Sequence, residues 1–336
     1  MTDRRVTGLT VVVTGPTGEI GISAVDALER DPAVERIVGM ARRPFDALAH
    51  GWTKTEYRQG DILDRGAVDA LVADADVVVH LAYLIMGSRE DSRRINLAGS
   101  RNVFEATVAT ARPTRLVYTS SVAAYGYHAD NPVPLTEAVP TRGSDEHYYS
   151  QQKAECEAVL REVTEGSDLE VYILRPCIVA GPKATALADS MPWRKVSHML
   201  PAYVRGTAGA VIGILPLMPD PGVMLQLVHH DDVADAIVLA ARGAGKPGAY
   251  NLAGKGEVSL SEVAKATGSR AIRIPHATAT AASAALARMP MVPAAAEWVH
   301  ALRTSTVMDT ARATRVLGWR PKYTSQQTLQ EMAESL

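Results

Sequence analysis

Tyr149-Ser150-Gln151-Gln152-Lys153 sets a phenol and an ammonium four residues apart. On a helix both project from one face. A phenol with its ordinary pKa near ~10 is a poor acid–base group at neutral pH, and a neighbouring ammonium favours its phenolate. Lowering that pKa by about three units corresponds to roughly 4 kcal/mol of electrostatic help. Tyr148 is one residue out of this register and is expected to pack or to line a pocket. Upstream, an apolar run ends in Tyr118-Thr119-Ser120-Ser121, followed by Tyr125-Gly126. A serine hydroxyl at the carboxyl edge of a sheet can hydrogen-bond a substrate carbonyl.

A second constellation lies near the N-terminus, at Thr14-Gly15-Pro16-Thr17-Gly18-Glu19-Ile20-Gly21, between an apolar run and a helical pattern. There Gly15 can take a tight turn, Gly18 can admit a pyrophosphate close to backbone, and Gly21 can let helix and strand pack closely. The helix N-terminus offers N–H groups to the anion. This reads as a dinucleotide fingerprint. The next strand ends in Ala41-Arg42-Arg43, with no carboxylate to hold a ribose 2′-hydroxyl. Arginine suits a 2′-phosphate, which favours NADP(H) over NAD(H). The alternative is two solvated arginines with an acidic residue elsewhere on the ribose.

These groups need a scaffold, and the first half of the chain supplies the pattern for one. Short apolar runs at Leu9–Val13, Arg36–Met40, Thr55–Gln59, Val77–His80, Arg115–Thr119 and Val171–Leu174 alternate with helical segments at Gly18–Glu29, Asp64–Ala73, Ser92–Thr110 and Glu146–Glu165. That alternation predicts an α/β fold: a doubly wound parallel sheet of the Rossmann type with a smaller, less regular C-terminal substrate lobe. The expected division is a dinucleotide-binding domain over 1–182, with 225–252 returning to it, and a lobe from 183–224 and 253–336. Further elements are expected at Leu225–Val228, Asp231–Arg242 and Tyr250–Leu252, followed by Ala-rich helices.

Taken together, the segments resemble the extended short-chain dehydrogenase/reductase family, the epimerase/dehydratase-like branch included, over nearly the whole chain. The matching pieces are Thr14 to Gly21, Gly60-Asp61-Ile62, His80-Leu81-Ala82, Asn96 with Gly99 and Asn102, Ser120-Ser121 with Tyr125-Gly126, Tyr149 with Lys153, Arg175-Pro176 with Gly181-Pro182, and His229 with Asp232-Val233-Ala234. The resemblance implies that Ser121, rather than Ser120, is the catalytic serine. Tyr149 is then the acid/base, Lys153 lowers its pKa and holds the nicotinamide ribose, and Asn96 supports the cofactor end of the site. It further implies a cofactor path along Gly15, Thr17, Gly18, Glu19, Ile20, Arg42, Arg43, Asp61, Ile62, Leu81, Ala82, Pro176, Ile178 and Val179, with His80 beside it.

With 35 Lys+Arg against 37 Asp+Glu, the chain has no overall charge to attract nucleic acid, so none is expected as a partner. Cys156 and Cys177 lack the number for a disulfide framework and the spacing for a metal. Both read as packed residues, and a reducing cytoplasm is the expected compartment. His229, His230, Asp231 and Asp232 invite a metal reading, but they lie where a strand passes into a helix that Asp231 or Asp232 can cap, so no metal is expected. Charged residues and prolines interrupt the Ala-rich stretch 277–302, which argues against a membrane span.

Sugar-nucleotide members of the family often carry an asparagine where Cys177-Ile178-Val179 stands here. The insert that follows is largely apolar, with Met191, Trp193, Met199, Leu200, Ile212, Ile214, Leu215, Leu217, Met218, Met224 and Leu225, beside a single close basic pair, Arg194-Lys195, and Arg205 beyond. An apolar pocket suits a hydrophobic small molecule. The leading expectation is therefore an NADP(H)-dependent oxidoreductase that interconverts a ketone and a secondary alcohol on a mostly apolar substrate. Two alternatives stand beside it: a nucleotide-sugar epimerase/dehydratase using bound NAD(P), and a non-catalytic NADP-sensing protein. A homodimer through the helices Ser92–Thr110 and Glu146–Glu165 is a family expectation.

Overall fold

The computed structural model describes residues 8–85, 88–189, 217–275 and 304–336. Most of the apolar insert, from Met191 to Leu215, and the Ala-rich stretch 277–302 lie outside the described residues.

Strands β1 (Leu9–Thr14), β2 (Val34–Ala41), β3 (Thr55–Gln59), β4 (Val77–His80), β5 (Arg115–Thr119), β6 (Glu170–Pro176) and β11 (Gly248–Leu252) form one seven-stranded sheet in the order β11-β6-β5-β4-β1-β2-β3. Every pairing in it is parallel. The order reverses between β1 and β4, and the crevice outside the carboxyl ends of those strands is where doubly wound sheets bind ligands.

The run of valines in β1 makes a central strand because both faces of the sheet are covered. Side chains alternate across it: Val11 and Val13 join one core with Ala24, Val25 and Leu28 of helix α1 (Glu19–Arg30) and with Val233 and Ile237 of the later helix His230–Ala241. Val12 faces the other core, with Val68 and Leu71 of α2 (Arg65–Val72), Phe104 of α4 (Ser100–Ala109) and Leu160 of α5 (Tyr148–Thr164).

Three expectations change in detail. The single helix expected over Ser92–Thr110 is α3 (Arg89–Arg93), a π turn (Arg94–Gly99) and α4. The strand expected at Leu225–Val228 is two short pieces, β9 (Met224–Leu225) and β10 (Leu227–His229). Neither enters the main sheet: β10 pairs with β7 (Ile178–Ala180), and β9 pairs with β12 (Val258–Ser259), just as β8 (Leu217–Asp220) pairs with β13 (Arg270–Arg273) apart from it. Finally, neither aspartate caps the helix His230–Ala241. His229 is its N-cap, and its Nδ1 accepts from the Asp231 amide at 3.2 Å. Asp232 instead accepts from the backbone amides of Lys322 and Tyr323 at 2.8 and 3.1 Å, which pins the C-terminal segment to this helix.

Candidate active site

The glycine loop joins β1 to α1 at the switch point. Gly15 has φ +74°, and a Cβ there would meet the Ala82 backbone at 2.8 Å. At Gly21 a Cβ would stand 2.1 Å from the Gly15 carbonyl oxygen, so helix and loop touch only because Gly21 lacks a side chain. Gly18 differs: it is the N-cap of α1 with ordinary φ, makes no side-chain cap, and has only the Gly15 carbonyl oxygen near a would-be Cβ, at 3.6 Å. A helix start left uncapped by side chains, on a loop with glycine at both Gly15 and Gly18, is a fitting cradle for a pyrophosphate. Thr17 and Ile20 flank it.

Around this loop the expected cofactor path divides into residues that face the crevice and residues that hold it. Leu81 and Ala82 are half-buried beside Gly15, with the Leu81 amide bonded to the Thr14 carbonyl at 3.1 Å. His80 is fully buried and lines nothing: Thr14 Oγ1 sits 2.7 Å from its Nδ1 and Ser100 Oγ 2.9 Å from its Nε2. Burial pushes its pKa down to about 3, so it is a neutral strut. Glu19 is tied across the mouth, its carboxylate accepting from the Ala186 amide at 2.8 Å. Asp61 turns the chain after β3 by accepting from the Leu63 amide at 3.0 Å. Ile62 is buried, and it lies where a Cβ on Gly99 would stand, 2.5 Å away. Asn102 holds the Ile62 carbonyl at 3.0 Å.

Arg42 and Arg43 leave β2 on an exposed loop whose backbone is clamped from β3. Tyr57 donates to the carbonyls of Ala41 and Arg43, and Gln59 donates to that of Arg42 at 2.9 Å. Neither guanidinium pairs with a carboxylate among the described residues. Pro176 ends β6 opposite Leu252 of β11, and the half-buried Ile178 and Val179 begin β7.

At the sheet's carboxyl edge the catalytic candidates converge. Ser121 caps the short 3-10 turn Val122–Tyr125, accepting from the Ala123 amide at 3.2 Å, and its hydroxyl is hydrogen-bonded to the Tyr149 phenol. Ser120 points away, donating to Glu157 at 2.7 Å. Lys153, 4 % exposed, donates to the Thr119 carbonyl at 3.0 Å. Burial lowers its pKa to about 8. The Tyr149–Lys153 spacing predicts an ammonium that pulls the phenol down. Burial dominates instead and holds Tyr149 above its ordinary value, with the Ser121 hydrogen bond opposing. Tyr148 is buried and donates to the Ile85 carbonyl at 2.9 Å.

Asn96 works at one remove. It lies in the π turn, fully buried, and brackets Leu84 by accepting from its amide at 2.8 Å and donating to its carbonyl at 3.0 Å, with Gln152 Oε1 at 2.9 Å. It therefore holds the loop after β4 against α5.

Two further groups belong to the site without a motif of their own. Behind Ser120 a buried network runs from Glu157 to Arg175, whose Nε and Nη2 donate at 2.9 and 2.7 Å, then to Tyr125 Oη at 2.8 Å and Asn251 at 2.7 Å. Glu157 follows Lys153 by four residues, the signal that could have found it. The other is Tyr83, which follows His80-Leu81-Ala82 at the edge of the sheet and stands edge-on to the Tyr149 ring at 5.6 Å.

His229, His230 and Asp231 bring possible ligand atoms within 4.8 Å of one another. These atoms already do structural work. His230 Nδ1 meets Ser23 Oγ at 2.8 Å and Asp231 at 3.0 Å, its Nε2 accepts from the Lys183 amide at 3.2 Å, and His229 Nδ1 serves as the cap. Cys156 and Cys177 are buried free thiols. Among the described residues no helix is long and apolar enough to cross a membrane.

Comparison with known proteins agrees with this geometry. The chain is 28% identical to the uncharacterized protein y4nG of Sinorhizobium fredii over 337 residues, covering 96% of this chain and 77% of that protein. It is also 28% identical to UDP-glucose 4-epimerase of Azospirillum brasilense over 255 residues, covering 71% and 70%. Among solved structures, UDP-glucose 4-epimerase of Thermotoga maritima superposes with a TM-score of 0.70 at 18% identity, covering 97% of this chain and 98% of that one, a likeness of fold. The model of the NAD dependent epimerase/dehydratase family matches residues 11–253, and with the glycine cradle at the switch point and the serine, tyrosine and lysine at the sheet edge, the chain belongs to that family of oxidoreductase-type enzymes.

Proposed function

We propose that the protein moves a hydride between bound NAD(P) and a secondary carbinol carbon of a nucleotide sugar, with Tyr149 exchanging the proton of the carbinol oxygen. The observation that carries the reading is the meeting of Ser121, Tyr149 and Lys153 in one buried corner beside the glycine loop. The nicotinamide supplies the hydride chemistry when bound. Ser121 fixes the oxygen by hydrogen bond, and the phenol, kept protonated by burial, is the acid when a ketone is reduced. Taking a proton from an alcohol calls for the charged form of Lys153 nearby. The sugar-nucleotide substrate is supported by the relative named for UDP-glucose, which aligns with 71% of this chain at 28% identity. It displaces the apolar ketone as first choice.

The apolar ketone/alcohol reading is supported by the half-buried Ile178 and Val179 after Cys177, which offer a diphosphate no side-chain donor. A third reading, an NADP sensor without chemistry, has Tyr149→Phe leave its function intact. The purified protein is incubated with UDP-glucose without added cofactor, and the product is followed by NMR. Epimerised or dehydrated sugar is expected, and Tyr149→Phe lowers its rate by about 10²–10⁴-fold. No sugar turnover, with NADPH consumed by a hydrophobic ketone instead, overturns the substrate.

The cofactor reading is NADP(H) over NAD(H), supported by the two exposed arginines on a braced loop. Replacing Arg42 and Arg43 together by Ala should weaken NADP(H) binding about tenfold or more, since a hydrogen bond to a charged group is worth ~1.5–3 kcal/mol. NAD(H) binding should not change. Equal losses for both cofactors refute the preference. A homodimer and a cytoplasmic location complete the reading. Sedimentation tests the first, through α4 and α5, whose outer faces carry the Arg101–Glu162 pair at 2.9 Å.

A further inference from the structure

Lys153 is an ammonium taken almost wholly out of water, and such a group is costly unless its surroundings replace the lost solvent. Its conventional partner among the described residues is a single carbonyl, that of Thr119 at 3.0 Å. Glu157, one turn along α5, is the nearest carboxylate on its own helix, but it lies in the fork of Arg175. What covers another side of the ammonium is the ring of Tyr83, whose centroid is 3.7 Å from Nζ, well inside the ~6 Å reach of a cation–π contact. Tyr118 and Tyr149 lie farther off, at 5.3 and 5.9 Å. The other ionisable groups that bear on Lys153 are Cys156 on its own helix and His80 on β4, the latter held neutral by burial.

We propose that Tyr83 is a positioning residue that keeps Lys153 charged and aimed at the reacting corner through the face of its ring. Asn96 then gains a purpose beyond packing, because by bracketing Leu84 it fixes the segment that holds the Tyr83 ring under the ammonium. The effect of the ring is on charge and direction together. Without it, desolvation is opposed by the Thr119 carbonyl and by the more distant pull of Cys156 and Glu157, and Lys153 gives up its proton at lower pH. The functional value of that charge rests on the reading of Tyr149 and Lys153 given above, but the contact itself is testable without turnover.

The chain has only eight lysines, so a full-length sample labelled with ¹³C at lysine Cε gives a countable set of signals, with that of Lys153 assigned by its loss in Lys153→Met. Its titration midpoint is expected near 8 in the native protein. Tyr83→Phe should leave it there. In Tyr83→Leu the midpoint should fall by about one pH unit, a tenfold change in proton affinity. A series of phenylalanines carrying one, two and three fluorines at position 83 keeps the shape and drains the ring's π face, so the midpoint should fall stepwise. That series decides the matter even where the leucine variant does not fold. A midpoint that stays put across the fluorinated series overturns the proposal. A midpoint that follows the series while Lys153→Met still turns over substrate keeps the contact and instead refutes the catalytic use of the lysine.

Discussion

Arg175→Met should be the most damaging single change in the buried network behind Ser120. Glu157 has no exposed surface and Arg175 is 4 % exposed, so the pair sits where an unpaired charge finds no water. The substitution removes both guanidinium hydrogen bonds to Glu157, at 2.9 and 2.7 Å, and the bond to Tyr125 at 2.8 Å. The carboxylate keeps Ser120 at 2.7 Å and a surface arginine, Arg161, at 3.3 Å. Breaking a buried pair from one side costs ~3–5 kcal/mol, and these two surviving donors place the loss near the lower bound, about 3 kcal/mol. The same principle makes the double variant Arg175→Met with Glu157→Gln milder, because no charge is stranded. It should recover at least about 1 kcal/mol of that loss. Urea unfolding followed by far-ultraviolet circular dichroism at neutral pH measures both. A single variant within about 1 kcal/mol of wild type, or a double variant no better than the single, refutes the view that the arginine is there to neutralise a buried carboxylate.

Two further outcomes follow from the same geometry. His80 has a folded pKa near 3, whereas an unfolded histidine takes its proton near ~6.5. Between those values the unfolded chain binds more protons, so the stability His80 contributes is present above the window and is lost as pH falls, by about 2 kcal/mol at pH 5. Urea midpoints at pH 7 and 5 should converge in His80→Asn, and an unchanged difference would sink the idea. The glycine loop separates two kinds of damage. Gly21→Ala, with its Cβ 2.1 Å from a carbonyl oxygen, should lower the melting temperature, whereas Gly18→Ala, with 3.6 Å of room, should melt normally and bind cofactor at least tenfold more weakly. Cofactor fluorescence titration reads the second effect, and native affinity in Gly18→Ala speaks against a pyrophosphate on that loop.

Much of this site was legible because its signals are local. Glycine spacing, continuous valines and the Tyr149–Lys153 register depend on the backbone within one element, and a helix or a buried strand states them directly. The choice between Ser120 and Ser121 needed the resemblance, because one residue of offset turns a hydroxyl from the cleft toward Glu157. The rest depends on contacts between distant segments. Nothing in the sequence near Asp232 announces that it will receive two amides from a segment 90 residues away. Tyr83 gives no periodic signal, and only its distance to the lysine reveals a role. The burial that raises the pKa of Tyr149 is hidden for the same reason: a sequence shows which charge is a neighbour, while the degree of burial is a property of the whole fold.

The π turn between α3 and α4 winds one residue more into Arg94–Gly99 than a regular helix would hold. Each residue advances a helix by about 100°, so the surplus acts as a rotary joint within a single rod. Ahead of it Ser92, and within it Asn96, turn toward Gln152 on α5, and beyond it Val103 and Phe104 turn into the core under the sheet. A straight helix would have to favour one of these orientations. A redesign that smoothed the irregularity by deleting a residue would yield a tidier, sturdier rod whose two halves no longer addressed the sheet and the catalytic corner at once.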